Sequence, residues 1–110
     1  QREDPGRVVG EVGLAGSDPV CAEALDLFVA IYGAQAGNLA LEVLALGGVI
    51  VGGGIAPKIQ AKLADGRFID AFRAKGRLDS LLASVPVRVA LDPRAPLWGA
   101  ARLAAAMPTA

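Results

Sequence analysis

The stretch Gly47–Lys58, GGVIVGGGIAPK, is where this sequence comes nearest to chemistry. Three consecutive glycines follow an apolar run, and a backbone without Cβ atoms can lie close to a ligand or to another element. A phosphate loop requires G-x-x-x-x-G-K-[ST], with lysine on the β/γ-phosphates. Gly47–Gly52 and Gly48–Gly53 have the glycine spacing, but Gly53 or Gly54 stands where lysine is needed, which excludes that loop. The dinucleotide pattern G-x-G-x-x-G is met by Gly52 and Gly54 only, because Pro57 replaces the third glycine. Its acidic residue belongs about 20 positions on, whereas Asp92, which closes the next strand, lies some 40 residues downstream. Two readings stay open on the local sequence. One is a purine-nucleoside site at the carboxyl end of a buried parallel strand, the side on which α/β folds bind ligands. The other is a plain packing turn into Pro57.

Other residue types narrow the chemistry. Histidine is absent, which removes histidine triads, histidine-rich zinc sites and the commonest general base. The single cysteine, Cys21, excludes an internal disulfide and reads as a core thiol in a reducing compartment. Lys58, Lys62, Arg67, Arg73, Lys75 and Arg77 stand against Asp65 and Asp70, a basic cluster that reads as a solvated surface or as a face steering an anionic nucleotide. Overall charge is balanced, 11 basic against 11 acidic residues, so nothing demands a nucleic-acid partner.

The elements that must position these residues begin with a helix start in AGSDPV, where Ser17 or Asp18 serves as N-cap and Pro19 lies in the first turn. Apolar positions at Cys21, Leu25, Phe28, Ile31, Tyr32, Ala36, Leu39, Ala40, Val43 and Leu44 predict one long helix to about Leu46, stopped by Gly47. Glu23, Asp26, Gln35 and Glu42 mark its wetter side. Gly33 and Gly37 lie one turn apart inside it. Each costs about 1 kcal/mol against alanine, which close packing on another element would offset. A buried strand, Gly48–Val51, precedes the glycine turn. Short helices follow from Pro57, in RFIDAFRAKG and in RLDSLLASV. PVRVAL is a second strand, and LWGAARLAAAM a last helix in which Trp98, like Tyr32 earlier, occupies a packing position. Parallel strands joined by a right-handed crossover are the default for this order. Two strands do not make an independent parallel sheet, so further polypeptide or a second copy is expected to complete it.

Composition supports that expectation. The AVILMFWYC fraction is 54% of 110 residues before 14 glycines are counted, against about 45–50% with glycine in ordinary domains. A chain of this length forms one small domain and buries only about two-thirds of its unfolded surface. The longest uncharged apolar run, Val43–Ala56, contains five glycines and falls short of the roughly 20 residues of a membrane span. No signal peptide or membrane segment is expected. QREDPGR reads as polar and lacks an initiator methionine, as in a chain processed or cut from a longer one.

Four segments, ALDLFVAIYGAQAGNLAL, GGVIVGGGIAPKI, DGRFIDAFRAKGR and VPVRVALDPRAPLWGAARLA, together resemble the carboxyl-terminal third of bacterial ATP-dependent glucokinases, from about Val9 to Ala105. The resemblance implies a partial ribonuclease H-like fold of the actin-like ATPase superfamily, a long helix followed by a βαβα unit. Residues 1–110 would then be the carboxyl-terminal part of the large α/β domain, without internal boundary. It further implies a cytoplasmic enzyme that phosphorylates glucose with Mg2+-ATP, and partners that are glucose, ATP, the rest of the chain and a second copy in a homo-oligomer. Gly52, Gly53, Gly54 and Ile55 match the adenosine-binding element. The family's phosphate hairpin, catalytic aspartate and sugar-gripping residues have no counterpart here, so no catalytic or metal-binding residue is assigned and the chain alone is expected to be inert. A kinase for another hexose, a sugar-responsive repressor of the same superfamily and a non-catalytic interaction module are the alternatives.

Overall fold

The computed structural model describes residues 4–108. The chain opens with a helix that the polar start concealed, α1, Pro5–Ala15. The first three residues of QREDPGR lie outside the described residues. Asp4 caps α1, its carboxylate accepting from the Gly6 N–H at 3.1 Å, with Pro5 in the first turn, and Gly16 ends it in a left-handed conformation, φ +69°. The same aspartate–proline signal starts α2, Pro19–Glu42, where Asp18 rather than Ser17 is the cap and accepts from the Val20 N–H at 2.9 Å.

Helix α2 stops short of the expected Leu46. Val43 is its C-cap and Leu44 takes a left-handed turn, φ +50°. The Ala45 N–H donates to the Ala40 carbonyl at 2.9 Å and the Leu44 N–H to the Leu41 carbonyl at 3.2 Å. This pair of bonds is a Schellman closure with leucine where glycine is usual, so the stop expected at Gly47 falls three residues earlier. Strand β1, Val49–Val51, follows and leads through the glycines into a 3-10 turn, Ala56–Ile59. The helix expected from Pro57 is therefore this turn plus α3, Gln60–Leu63. Next come α4, Arg67–Arg73, a 3-10 turn, Gly76–Leu78, and α5, Asp79–Ala83. Strand β2, Val87–Val89, and helix α6, Ala95–Ala106, complete the order. The strands pair in parallel, Val49 with Val87, Ile50 with Arg88 and Val51 with Val89, as the element order requires.

The core lies where α2 crosses α4. Its buried face on α2 is Leu25, Val29, Gly33, Ala36, Gly37 and Ala40, so the apolar stripe expected through Phe28, Ile31 and Leu39 is displaced around the helix and those three stay exposed. The displacement has a steric cause. A Cβ on Gly33 would collide with the carbonyl oxygen of Phe68, and one on Gly37 with that of Phe72. The two glycines thus bring the backbones together, the close packing expected of them. Phe68 and Phe72 fill the space beside the crossing, and Tyr32 meets the Phe68 ring edge-on at 5.6 Å. Gly13 does the same for α1, since a Cβ there would stand 2.8 Å from the Cys21 carbonyl oxygen.

One face of the sheet joins this core through Val51, Val49, Val87 and Val89. Trp98 departs from expectation: α6 has no buried residue, and Trp98 is 60% exposed. The molecule is flat, 53 × 46 × 17 Å, with a radius of gyration of 16.4 Å, against about 13 Å for a compact domain of this size. Helix α2 is long and apolar enough to cross a membrane by composition, at a mean hydropathy of 1.3, but its Gly33–Gly37 face is occupied by α4.

Gly37→Ala in the complete polypeptide is expected to cost about 1–3 kcal/mol, the usual penalty for forcing atoms into a filled contact. Gly10→Ala in α1, whose Cβ would meet no heavy atom within 4 Å, should be neutral or gain up to about 1 kcal/mol. Denaturant titration of both variants measures the difference, and equal stability would remove the steric role of the crossing.

Candidate functional site

Parallel pairing brings the carboxyl ends of β1 and β2 to one edge. The Ala90 N–H donates to the Val51 carbonyl at 2.8 Å, so Gly52–Ile55 and the turn beginning at Leu91 leave the sheet side by side. The glycine segment is held at both ends. Val51 is buried before it, and Ala56 and Ile59 are 0% and 4% exposed after it. The Lys58 and Ile59 N–H groups both donate to the Ile55 carbonyl, at 3.0 and 3.2 Å. Between these anchors Gly52, Gly54 and Ile55 are exposed.

The three glycines are not equivalent. Gly53 has φ +102°, a conformation that side chains with Cβ rarely adopt, so the backbone itself requires glycine there. Gly52 and Gly54 do not have positive φ. A Cβ on Gly52 would make only an ordinary contact, 3.8 Å from the Ala90 side chain, and one on Gly54 would meet nothing within 4 Å. Neither conformation nor the described packing therefore accounts for Gly54. The packing reading explains Gly53 alone.

The second turn at this edge is organised by Asp92, whose carboxylate accepts from the Arg94 N–H at 2.8 Å and from Arg94 Nε at 3.3 Å. That backbone hydrogen bond, with the guanidinium bond behind it, holds the Asp92 carboxyl below the ordinary carboxylate range. The Arg94 guanidinium in turn stacks over Trp98 at 5.6 Å. Asp92 is a turn cap, which removes it as the ribose-binding acid of a dinucleotide fold. Its role was announced by Asp-Pro, the same pair that starts α1 and α2.

The basic cluster divides. Lys62 Nζ donates to Asp26 at 2.8 Å and lies 3.7 Å from Asp65, while Arg67 reaches Asp65 at 3.2 Å and Asp26 at 3.5 Å. Lys75 Nζ donates to the Ala34 carbonyl at 3.0 Å and to Asn38 Oδ1 at 2.7 Å. These three cations fasten the α3–α4 segment to α2 and are unavailable to a nucleotide. Lys58, Arg73 and Arg77 make no ion pair among the described residues. Cys21 is half-buried, with Sγ 3.8 Å from Asp18 Oδ2. Burial first, and then the Asp18 charge, pushes its thiol pKa up, which keeps it a protonated packing group. Among the described residues no three aspartate, glutamate, histidine or cysteine side chains converge as metal ligands. Of two surface pockets, one of about 430 Å3 lies beside Asp70, Arg73 and Ser80, and one of about 250 Å3 lies between the sheet and α3–α4, lined by Val51 and Val89.

The sequence profile of the glucokinase family matches residues 1–107. The chain belongs to that family. Glucokinase of a Nostoc species is 46% identical over 102 residues, covering 93% of this chain and 30% of the relative. Glucokinase of a Synechocystis species is also 46% identical, covering 93% of this chain and 29% of the relative. The crystal structure of glucokinase from an Antarctic psychrotroph superposes with a TM-score of 0.77 at 36% identity, over 94% of this chain and 32% of that one. The chain thus spans about 30% of the length of its glucokinase relatives. The glucokinase family to which the four sequence segments pointed is thereby confirmed.

A pH dependence follows from the ion group that braces the site's supporting helices. The Arg67 backbone N–H first, and the Arg67 and Lys62 charges after it, hold the Asp65 carboxyl below its ordinary range against the opposing effect of burial. A carboxylate with a depressed folded pKa contributes its full stabilisation above the unfolded value and loses it as pH falls through the folded value. Asp65→Asn keeps the acceptor for the Arg67 N–H but loses the charge facing Arg67 and Lys62, and is expected to cost about 0.5–1 kcal/mol near neutral pH, the size of a partly exposed ion pair. The gap from the parent should close at pH values below the carboxylate range. Thermal melts of both proteins across that range give the test, and a gap constant with pH would contradict the assignment.

Proposed function

We propose that this chain is the carboxyl-terminal part of the large α/β domain of an ATP-dependent glucokinase, within an actin-like ATPase fold, and that it supplies the surface on which the adenosine of ATP lies. The observation that carries the reading is Gly54, at an exposed turn where neither backbone conformation nor neighbouring protein atoms call for glycine. An absent side chain at the carboxyl end of a parallel strand leaves room for a flat base or ribose. Gly52 and Ile55 border that space, and Gly53 sets the turn. The family match supports the reaction, transfer of the ATP γ-phosphoryl group to the 6-hydroxyl of glucose.

Phosphoryl transfer also requires a positioned base, Mg2+ and a phosphate clamp. This chain's residues position the nucleoside, and those other parts fall to the remaining polypeptide. Cytoplasmic location, assembly as a homo-oligomer and the absence of nucleic-acid or membrane partners belong to the same proposal. The pure chain should accordingly form no glucose 6-phosphate from ATP and glucose, and product above a buffer blank in a coupled assay would overturn the division of labour.

Gly54→Val separates the nucleoside surface from a structural turn better than substitution of Gly53, whose positive φ makes any side chain there a strain on the fold. In the complete enzyme the variant should weaken ATP binding about tenfold or more, roughly 1.4 kcal/mol, while glucose affinity and melting temperature stay near the parent's. Calorimetric titration of each ligand alongside a melting curve provides the check. Parallel loss of both affinities with a lowered melting temperature would leave the glycines as scaffold.

A further inference from the structure

We infer that Lys58 binds the phosphate chain of the nucleotide, so that this chain meets ATP at its charged end as well as at its nucleoside. The inference rests on the reading of Gly52–Ile55 as the nucleoside surface and adds a residue to it. In the 3-10 turn Ala56–Ile59 the Lys58 N–H donates to the Ile55 carbonyl at 3.0 Å, three residues back. Side chains three apart on such a turn lie on one side of it. Ala56 and Ile59, 0% and 4% exposed, take the side toward the core. Ile55 and Lys58 take the other, and both are exposed. Lys58 therefore stands beside Ile55, on the side of the turn that borders the open space at Gly54.

Charge singles out the same residue. Residues 43–64 contain no aspartate or glutamate, and their two cations are Lys58 and Lys62. Lys62 is held by Asp26 and Asp65, whereas Lys58 makes no ion pair among the described residues. The neighbouring strand end offers Lys58 no free carboxylate, because Asp92 already accepts from the Arg94 N–H and guanidinium. The glycine turn thus carries one uncommitted ammonium, on the face where a nucleoside would lie and its anionic phosphates would begin. An ammonium with three donors on a flexible four-carbon stem suits such a contact, since it meets phosphate oxygens as a point charge without fixed geometry.

The test uses the complete enzyme carrying Lys58→Gln, Lys58→Arg or Lys58→Glu, assayed for glucose phosphorylation with ATP varied and adenosine as competitor. Lys58→Gln should raise KM for ATP about tenfold, the size of one charge-assisted hydrogen bond. Lys58→Arg should recover most of that loss and Lys58→Glu should exceed it. Inhibition by adenosine, which has no phosphate, should stay at the parent's strength, as should KM for glucose and the melting temperature. An unchanged KM for ATP in Lys58→Gln would overturn the contact, and so would adenosine inhibition weakened in step with ATP. Arg73→Gln on α4 and Arg77→Gln in the turn after it remove unpaired cations of the same cluster and should leave KM for ATP alone. Equal losses from these two would assign the effect to a diffuse positive face and overturn the contact too. The nucleoside surface is read separately, from ATP binding in Gly54→Val, so failure of that reading and failure of this one are distinguishable.

Discussion

Contact between the backbones of α2 and α4 sets the rest of the architecture. Gly33 faces the Phe68 carbonyl and Gly37 faces the Phe72 carbonyl, four residues apart on both helices, so the crossing has one register. Sliding either helix by a residue would drive a Cβ into a carbonyl oxygen. Once that register is set, the Tyr32, Phe68 and Phe72 rings line up beside it, and charged side chains close it at both ends. Asp26 takes Lys62 and Arg67 on one side, and Lys75 hooks the Ala34 carbonyl and Asn38 on the other. Partly buried ion pairs of this kind contribute through geometry and mutual satisfaction more than through raw Coulomb attraction.

The crossing also places the sheet. With α4 fixed on α2, Val51 and the valines of β2 have one apolar surface to settle on, and the parallel pairing then carries Gly52–Ile55 to the same edge as the Asp92 turn. Nucleotide-binding surfaces in α/β folds arise at such edges because strand ends there leave backbone groups and loops free to meet a ligand. The turn is rigid at its buried anchors and open between them, the condition a nucleoside surface needs.

A thickness of 17 Å explains the apolar excess. Ile50, Leu27, Ile31, Leu97 and Trp98 are all more than half exposed, although a balanced charge and a high apolar fraction would ordinarily drive such side chains inside. The chain has one helical layer against one sheet face. Its glucokinase relatives are about three times longer.

Much of this was legible in the sequence because local chemistry decides it. Asp18–Pro19 set the start of α2, the glycine pair announced a close crossing, VIV and VRV announced two parallel strands, although VIV is buried at Val51 alone, and four ordered segments identified the family. Asp4–Pro5 carried the same signal for α1 and was hidden by the charged residues around it. Other features depend on partners distant in sequence, and those only the tertiary structure decided. Which face of α2 is buried depends on carbonyls of α4 more than thirty residues away, so an apolar count found Leu25, Ala36 and Ala40 but also took in Phe28, Ile31 and Leu39, which stay exposed. Helix α2 ends at a left-handed leucine because the turn into β1 needs that closure, against leucine's own preference. Trp98 is exposed because nothing in the described chain reaches α6. At the glycine turn the sequence determined that the backbone could approach something. The structure decided that Gly52 and Gly54, unlike Gly53, are left without a conformational or packing reason, because φ at Gly53 and open space at Gly54 exist only once β1, β2 and the 3-10 turn are fixed in space.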